Sequence, residues 1–239
     1  MYSKNKQMVT LDRWIEEKKK EKVNQKTLNN EDHVREYRTL SKAIREDPEL
    51  KEEYQETINK ESKQSERDTT TRINEHGFFF AEKRTDDNEY DKWDIGLAIN
   101  VANNSKLWVG YIDNEWRQIK GRKTWDANHP SFPFGTIDVP VEKIEYFDKI
   151  PEISFYIPRA ILHEDGIGCV IKGAVIVDYH RRGKIESHNT RMGKRDFITI
   201  KTSDCVCGKI EKLVHYMATE ISKTNNLVKD QYTLFLNKV

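Results

Sequence analysis

"WDIGLAINVANNSKLWVGYIDNEWRQIKGRK", residues 93–123, decides how this chain is read. Its apolar runs, "WDIGLAINVA", "KLWVGYI" and "EWRQIKGRK", are separated by the turn signals Asn103-Asn104-Ser105 and Asp113-Asn114. The pattern predicts an antiparallel meander in which Asp113 and Asn114 are turn residues. In the last run, side chains alternate between the two faces of a strand, so Gln118 and Lys120 share a face. A strand pair that sets Asp94 beside Lys120 supplies a hard oxygen ligand for Mg²⁺ and a fixed cation near a scissile phosphate, as phosphodiester hydrolysis requires. Gln118 adds an amide oxygen, a weaker ligand than a carboxylate. The plain structural reading of Asp94 and Lys120 is a cross-strand ion pair on a solvated sheet face.

Upstream of this stretch the composition changes. Of the first 70 residues, 32 are Asp, Glu, Lys or Arg, which reads as a charged helical arm over 1–70, ahead of a sheet-centred domain over 71–239. Leu11, Trp14, Ile15 and Val23 make a sparse apolar stripe, and Val34, Tyr37, Leu40 and Ile44 follow helical spacing. Asp47-Pro48 ends that helix, and another begins with Leu50, Tyr54 and Ile58 on one face and Ile73 near its end. Gly77 stops the helical pattern, and "FFFAEKR" has the aromatic density of a strand.

Downstream, "TWDANHPSFPFGTIDVP" carries three prolines and reads as a loop, and "VEKIEYFDKI" as a short helix. "ISFYIPRAIL" and "CVIKGAVIVDY" read as strands around a Glu164-Asp165-Gly166 turn, and "RDFITIK" as another strand. The chain closes with a helix, "GKIEKLVHYMATEISK", whose Ile210, Leu213, Val214, Met217 and Ile221 occupy one face. Between these elements, "HRRGKIESHNTRMGKR" reads as a glycine-bearing loop holding Arg181, Arg182, Lys184, Arg191, Lys194 and Arg195. With Arg117, Arg122 and Lys123 these cations are candidate phosphate contacts, against the plainer reading of solvated loop tips.

The 239 residues suffice for one substantial core, with 36% hydrophobic and 34% charged residues. A net charge of +1 excludes a strongly basic coat but not a local basic face. No apolar run is long enough to span a bilayer, and "MYSKNKQMVT" lacks the apolar core of a secretory signal, so a cytoplasmic location is expected. Cys169, Cys205 and Cys207 are an odd set in which Cys205 and Cys207 stand too close in one strand for a disulfide, so reduced thiols are expected. A zinc site would draw on His188 and His215. His180, His188 and Asn189 lack the second ligand pair of a one-metal nuclease, and His129 lies in a loop. Of Trp93, Trp108, Trp116 and Trp125, most read as packing residues, and Trp125 is the candidate for stacking on a base.

The order of elements, helix, aromatic strand, "YDKWDIGLAIN", a strand ending "WRQIKGRK", a proline-bearing loop, a short helix with a lysine, then "ISFYIPRAIL" and "CVIKGAVIV", resembles the PD-(D/E)xK endonuclease superfamily over roughly residues 66 to 200. The resemblance implies an α+β fold of restriction-endonuclease type, a central mixed sheet flanked by helices. It implies a DNA endonuclease using Mg²⁺, or Mn²⁺ in its place, with Asp94 and Gln118 as metal ligands and Lys120 orienting the water. A glutamate of the preceding helix, Glu75 or Glu66, completes the set. Gln118 stands where the family has Asp or Glu, and no proline precedes Asp94. The hairpin 106–112 enters as an extra strand or as part of a long second one. Asp113 or Glu115 is the alternative source of the missing carboxylate. A homodimer suits an enzyme that cuts both strands of a duplex. Two other classes of function stand beside the nuclease: a DNA-binding or regulatory protein that keeps the fold without cleaving, and an interaction adaptor that uses the charged arm.

Overall fold

A computed structural model of the chain describes residues 41–83, 93–114, 135–158, 167–190 and 192–238. Residues 41–46 are helical, and Pro48 opens helix α1 (Pro48–His76), where its missing N–H leaves no intrahelical bond unmade. Asp47 Oδ1 accepts from the N–H of Glu49 (3.0 Å) and of Leu50 (3.3 Å), capping the helix. Gly77, at φ 85°, ends it, so both punctuation marks expected from the sequence are used. The side chain of Asn74 then bonds both backbone groups of Ala81, at 3.0 and 2.8 Å, fastening the helix end to the first strand.

Strands β1 (Phe80–Lys83), β2 (Ile95–Val101) and β3 (Ser105–Asn114) form an antiparallel meander; β2 and β3 are the first two runs of the expected one, β1 joins them from the aromatic strand before it, and the third expected run, 115–123, lies outside the described residues. The β2–β3 turn uses Asn103 and Asn104 in the left-handed region, which asparagine tolerates better than most residues. Beyond β4 (Thr136–Pro140), a 3₁₀ turn (Val141–Lys143) leads into helix α2 (Ile144–Lys149), matching the short helix expected there. Strand β5 (Ser154–Ile157) then returns parallel to β3, which needs a crossover connection. β6 (Ile167–Lys172) pairs with β5, and β9 (Val206–Lys209) with β6, both antiparallel. The result is a central mixed sheet of six strands in the order β1-β2-β3-β5-β6-β9, flanked by helices. A second sheet has the order β4-β8-β7, with β7 (Ile185–Thr190) and β8 (Gly193–Lys201).

Each face of the main sheet carries a core, and alternation along β5 shows how. Phe155 and Ile157 enter one core with Ile73 of α1, Ile95, Leu97 and Ile99 of β2, and Leu213, Val214 and Met217 of helix α4 (Ile210–Ser222). Tyr156 enters the other core with Phe147 of α2, Ile176 and Val177 of helix α3 (Gly173–Arg181), and Val139, Ile198 and Ile200 of the second sheet. Lys172, buried at the end of β6, reaches Glu220 of α4 at 3.0 Å and Glu152 at 2.5 Å, so its charge is compensated where it is desolvated.

Six expectations are corrected. "GAVIVDY" is helix α3, because Gly173 sits against Ser154, Pro151 and Phe147 where the chain turns away from the sheet, and Ile176 and Val177 bury one helical face. The stretch around "KIESHNT" is strand β7 of a hairpin with β8, and "TIDVP" is strand β4 rather than loop. Asp113 and Asn114 are the last residues of β3, not a turn. After α4 there is one more helix, α5 (Asn226–Leu236), capped by the side chain of Asn225. Cys169 and Cys207 face each other across β6 and β9 and form a disulfide, which retires both the reduced-thiol expectation and the zinc alternative at Cys207. Cys205 keeps a free thiol, pushed up to about 12 by burial and by the charge of Asp204.

The described residues up to Lys60, with His188–Arg195, form one compact unit, and Glu61–Ser187 with Asp196–Val239 form a second. In the first, Arg45 Nη1 donates to the carbonyl of Thr190 at 3.4 Å. Among the described residues no helix is long and apolar enough to cross a membrane.

Candidate functional site

The ladder between β2 and β3 brings two carboxyl groups together. Asp94 lies just before β2; its N–H donates to the carbonyl of Ile112 (3.1 Å), and its Oδ2 accepts from the N–H of Asn114 (2.7 Å). These bonds hold Asp94 alongside the end of β3, where Asp113 is almost completely buried at 1% exposure. Lys143, last residue of the 3₁₀ turn before α2, places its Nζ 2.7 Å from Asp113 Oδ1. Asp113 Oδ2 is buried without a donor.

Charge and burial set the protonation state of this group. Burial pushes the Asp94 carboxyl up, the charge of Asp113 pushes it further, and Lys143 and the Asn114 N–H pull against them, leaving it at about 8. The Asp94 carboxyl is therefore protonated at neutral pH, and the Lys143 ammonium faces its neighbour Asp113. A proton on Asp94 also provides the donor that two charged carboxylates facing each other lack.

Asn114 fastens the strand end to α1: its Nδ2 donates to Ser65 Oγ (3.1 Å) and Thr69 Oγ1 (3.3 Å), all three residues being buried. Its Oδ1 is buried without a donor. Next to Ser65, Glu66 is also buried and forms an ion pair with Lys83 at 2.5 Å. Of the two glutamates considered from the sequence, Glu66 is therefore at the strand ends. Glu75 is exposed, about 9 Å further along the helix axis than Thr69.

Gln118 and Lys120 lie outside the described residues, as do Glu115, Arg117, Arg122, Lys123, Arg191, Trp116, Trp125 and His129. The other basic residues are divided. Arg181 is ion-paired to Asp148 (2.9 Å) and Arg182 to Asp178 (2.8 Å), while Lys184 is exposed. Lys194 and Arg195 are exposed and belong to the other unit. Lys143 entered the sequence reading only as a lysine of "VEKIEYFDKI" without a stated role, since the aspartate it meets is 30 positions away. Among the described residues no group of three or more His, Cys, Asp or Glu side chains is arranged to hold a metal ion.

No family model matches the chain, and no curated protein matches it. A solved structure of a nuclease from a fusselovirus is similar to it, with 16% identity over 62% of this chain and 79% of that one, at a TM-score of 0.37.

Proposed function

We propose that the chain is a Mg²⁺-dependent DNA endonuclease that hydrolyses phosphodiester bonds at Asp94, Asp113 and Lys143. One observation carries the reading: the half-buried carboxyl of Asp94 and the buried carboxyl of Asp113 meet at the common end of two strands, with the Lys143 ammonium 2.7 Å from Asp113. Burying two acids together is unfavourable for the fold, and such a strained pair of titratable groups is where chemistry is sought first. The oxygen donors suit a hard divalent cation, and the only donor that Asp113 Oδ2 can draw on among the described residues is the proton of Asp94, which a cation would displace.

Asp94 and Asp113 are the residues that would hold Mg²⁺ or Mn²⁺, which when bound supplies positive charge at the scissile phosphate and an acidified water. Two carboxylates suffice for Mg²⁺, which ordinarily keeps several waters and takes its remaining oxygens from substrate phosphate. Lys143 orients Asp113 through its 2.7 Å ion pair and puts a positive charge beside the carboxyls, where a phosphate would come. Asn114, Ser65 and Thr69 fix the end of β3 so that the carboxyls keep their spacing. Asp113 takes the role of the acid on the third strand, which the sequence reading gave to Gln118.

The test is incubation of supercoiled plasmid with the protein in Mg²⁺, in Mn²⁺ and in EDTA, alongside Asp113→Asn. Metal-dependent nicking, reduced at least about a hundredfold in the variant, is the expected result. Plasmid that is bound but left intact in every condition would replace the nuclease with a DNA-binding protein that does not cleave.

A further inference from the structure

Five large hydrophobic side chains are exposed among the described residues, and Trp108 is the only aromatic one, 44% exposed in the middle of the main sheet's β3. The register explains its position. Phe80, Ala98 and Trp108 are aligned across β1, β2 and β3, and the next row is Glu82, Gly96 and Tyr111. Ile95, Leu97 and Ile99 point into the core beneath α4, so Gly96 and Ala98 face the opposite way. They make a floor with almost no side chain between Phe80 and Glu82 on one side and Trp108 and Tyr111 on the other. The benzo ring of Trp108 rests on this floor: a Cβ added at Gly96 would lie 2.6 Å from Cζ3 and 3.0 Å from Cε3. Glycine at 96 thus lets the ring lie against the backbone, with the rest of its surface outward.

This face leads to the candidate site. Asp94 is two residues before Gly96, so the ring stands about 7 Å from it along the strand, two base-stacking rises of about 3.4 Å. At the other end Lys106 is ion-paired with Glu82 and lies 5.5 Å from the centre of the Phe80 ring, which balances the acid on this face. Aromatic rings beside a phosphate-directed site are how proteins hold unpaired bases, since every base has a face to stack.

We infer that Trp108 is a stacking platform for an unpaired base of a nucleic-acid strand whose backbone lies at Asp94, Asp113 and Lys143. The substrate class this assigns is DNA with a single-stranded segment; the position of the backbone rests on the nuclease reading. A tryptophan that only covered Gly96 would be replaceable by any apolar side chain of similar reach, whereas a stacking platform needs an aromatic one.

The experiment is an anisotropy titration of a fluorescein-labelled oligodeoxythymidylate, and of a duplex of equal length, in EDTA, with the wild type, Trp108→Phe and Trp108→Leu, thermal unfolding being measured on each. The expected result is single-strand binding weakened about tenfold in Trp108→Leu and changed less than about threefold in Trp108→Phe, at unchanged duplex affinity. Equal single-strand affinity in Trp108→Leu and wild type overturns the platform, as does an equal loss for duplex or the absence of single-strand binding by the wild type. Because cleavage plays no part in EDTA, Trp108-dependent binding by a protein that does not nick plasmid would leave the platform standing and remove the nuclease. Nicking by a protein whose binding ignores Trp108 would do the reverse.

Discussion

Asp94 and Asp113 are two acids in one low-dielectric place, and their pH behaviour follows from that. Asp94 titrates at about 8 against an ordinary 3.8, so between those values the folded state holds a proton that the unfolded chain releases. Stability is therefore highest at the acid end of this window and falls as pH rises towards about 8. Thermal unfolding measured across the window should show this decline in the wild type and a flatter profile in Asp94→Asn. Lys143→Ala leaves the Asp113 charge buried without its cation, for an expected loss of about 1–3 kcal/mol at neutral pH, read from urea unfolding. Asp94 was legible in the sequence because an acid at the mouth of an apolar run is conspicuous. Asp113 was not: Asp-Asn after such a run is ordinary turn chemistry. What overrides it is the pairing of Tyr111–Asn114 with Ser154–Ile157, which extends β3 through both residues by contacts a local reading does not contain.

The elements repeat the lesson. Helix α1 and the β2–β3 hairpin carry their own turn and stop signals and were readable from the sequence apart from the end of β3, as was the apolar face of α4. "CVIKGAVIVDY" was not, because a continuous apolar run suits a buried strand and a buried helix equally. The division falls at Gly173, whose Cα is closed in by Ser154, Pro151 and Phe147, so Gly173→Ala should cost about 1–3 kcal/mol through overpacking, measured by denaturant unfolding. The Cys169–Cys207 link was missed because strand partners, and not sequence neighbours, decide which cysteines meet. It spans 38 residues, and the Cys207→Ser variant should lose about 2–4 kcal/mol relative to the oxidised wild type, seen as a drop in Tm that reductant reproduces in the wild type.

Across the whole molecule the near balance of charge, +1 over 239 residues, means that under the proposed function nucleic-acid affinity has to come from a few placed cations. Arg181 and Arg182 are engaged by aspartates, which leaves Lys184 and Lys194 among the exposed cations of the described residues. Replacing either by alanine should lower the slope of log affinity against log salt by about one where it touches a phosphate, with no change in base preference. The central proposal, that Asp94 and Asp113 hold a divalent cation in competition with the proton on Asp94, is tested most directly by calorimetric titration with Mn²⁺ in buffers of different ionisation enthalpy, at several pH values on either side of about 8, on the wild type and Asp113→Asn. Binding that releases a proton below about 8, tightens as pH rises to that value and disappears in the variant is the expected result. Binding that releases no proton, or that survives unchanged in Asp113→Asn, would contradict it.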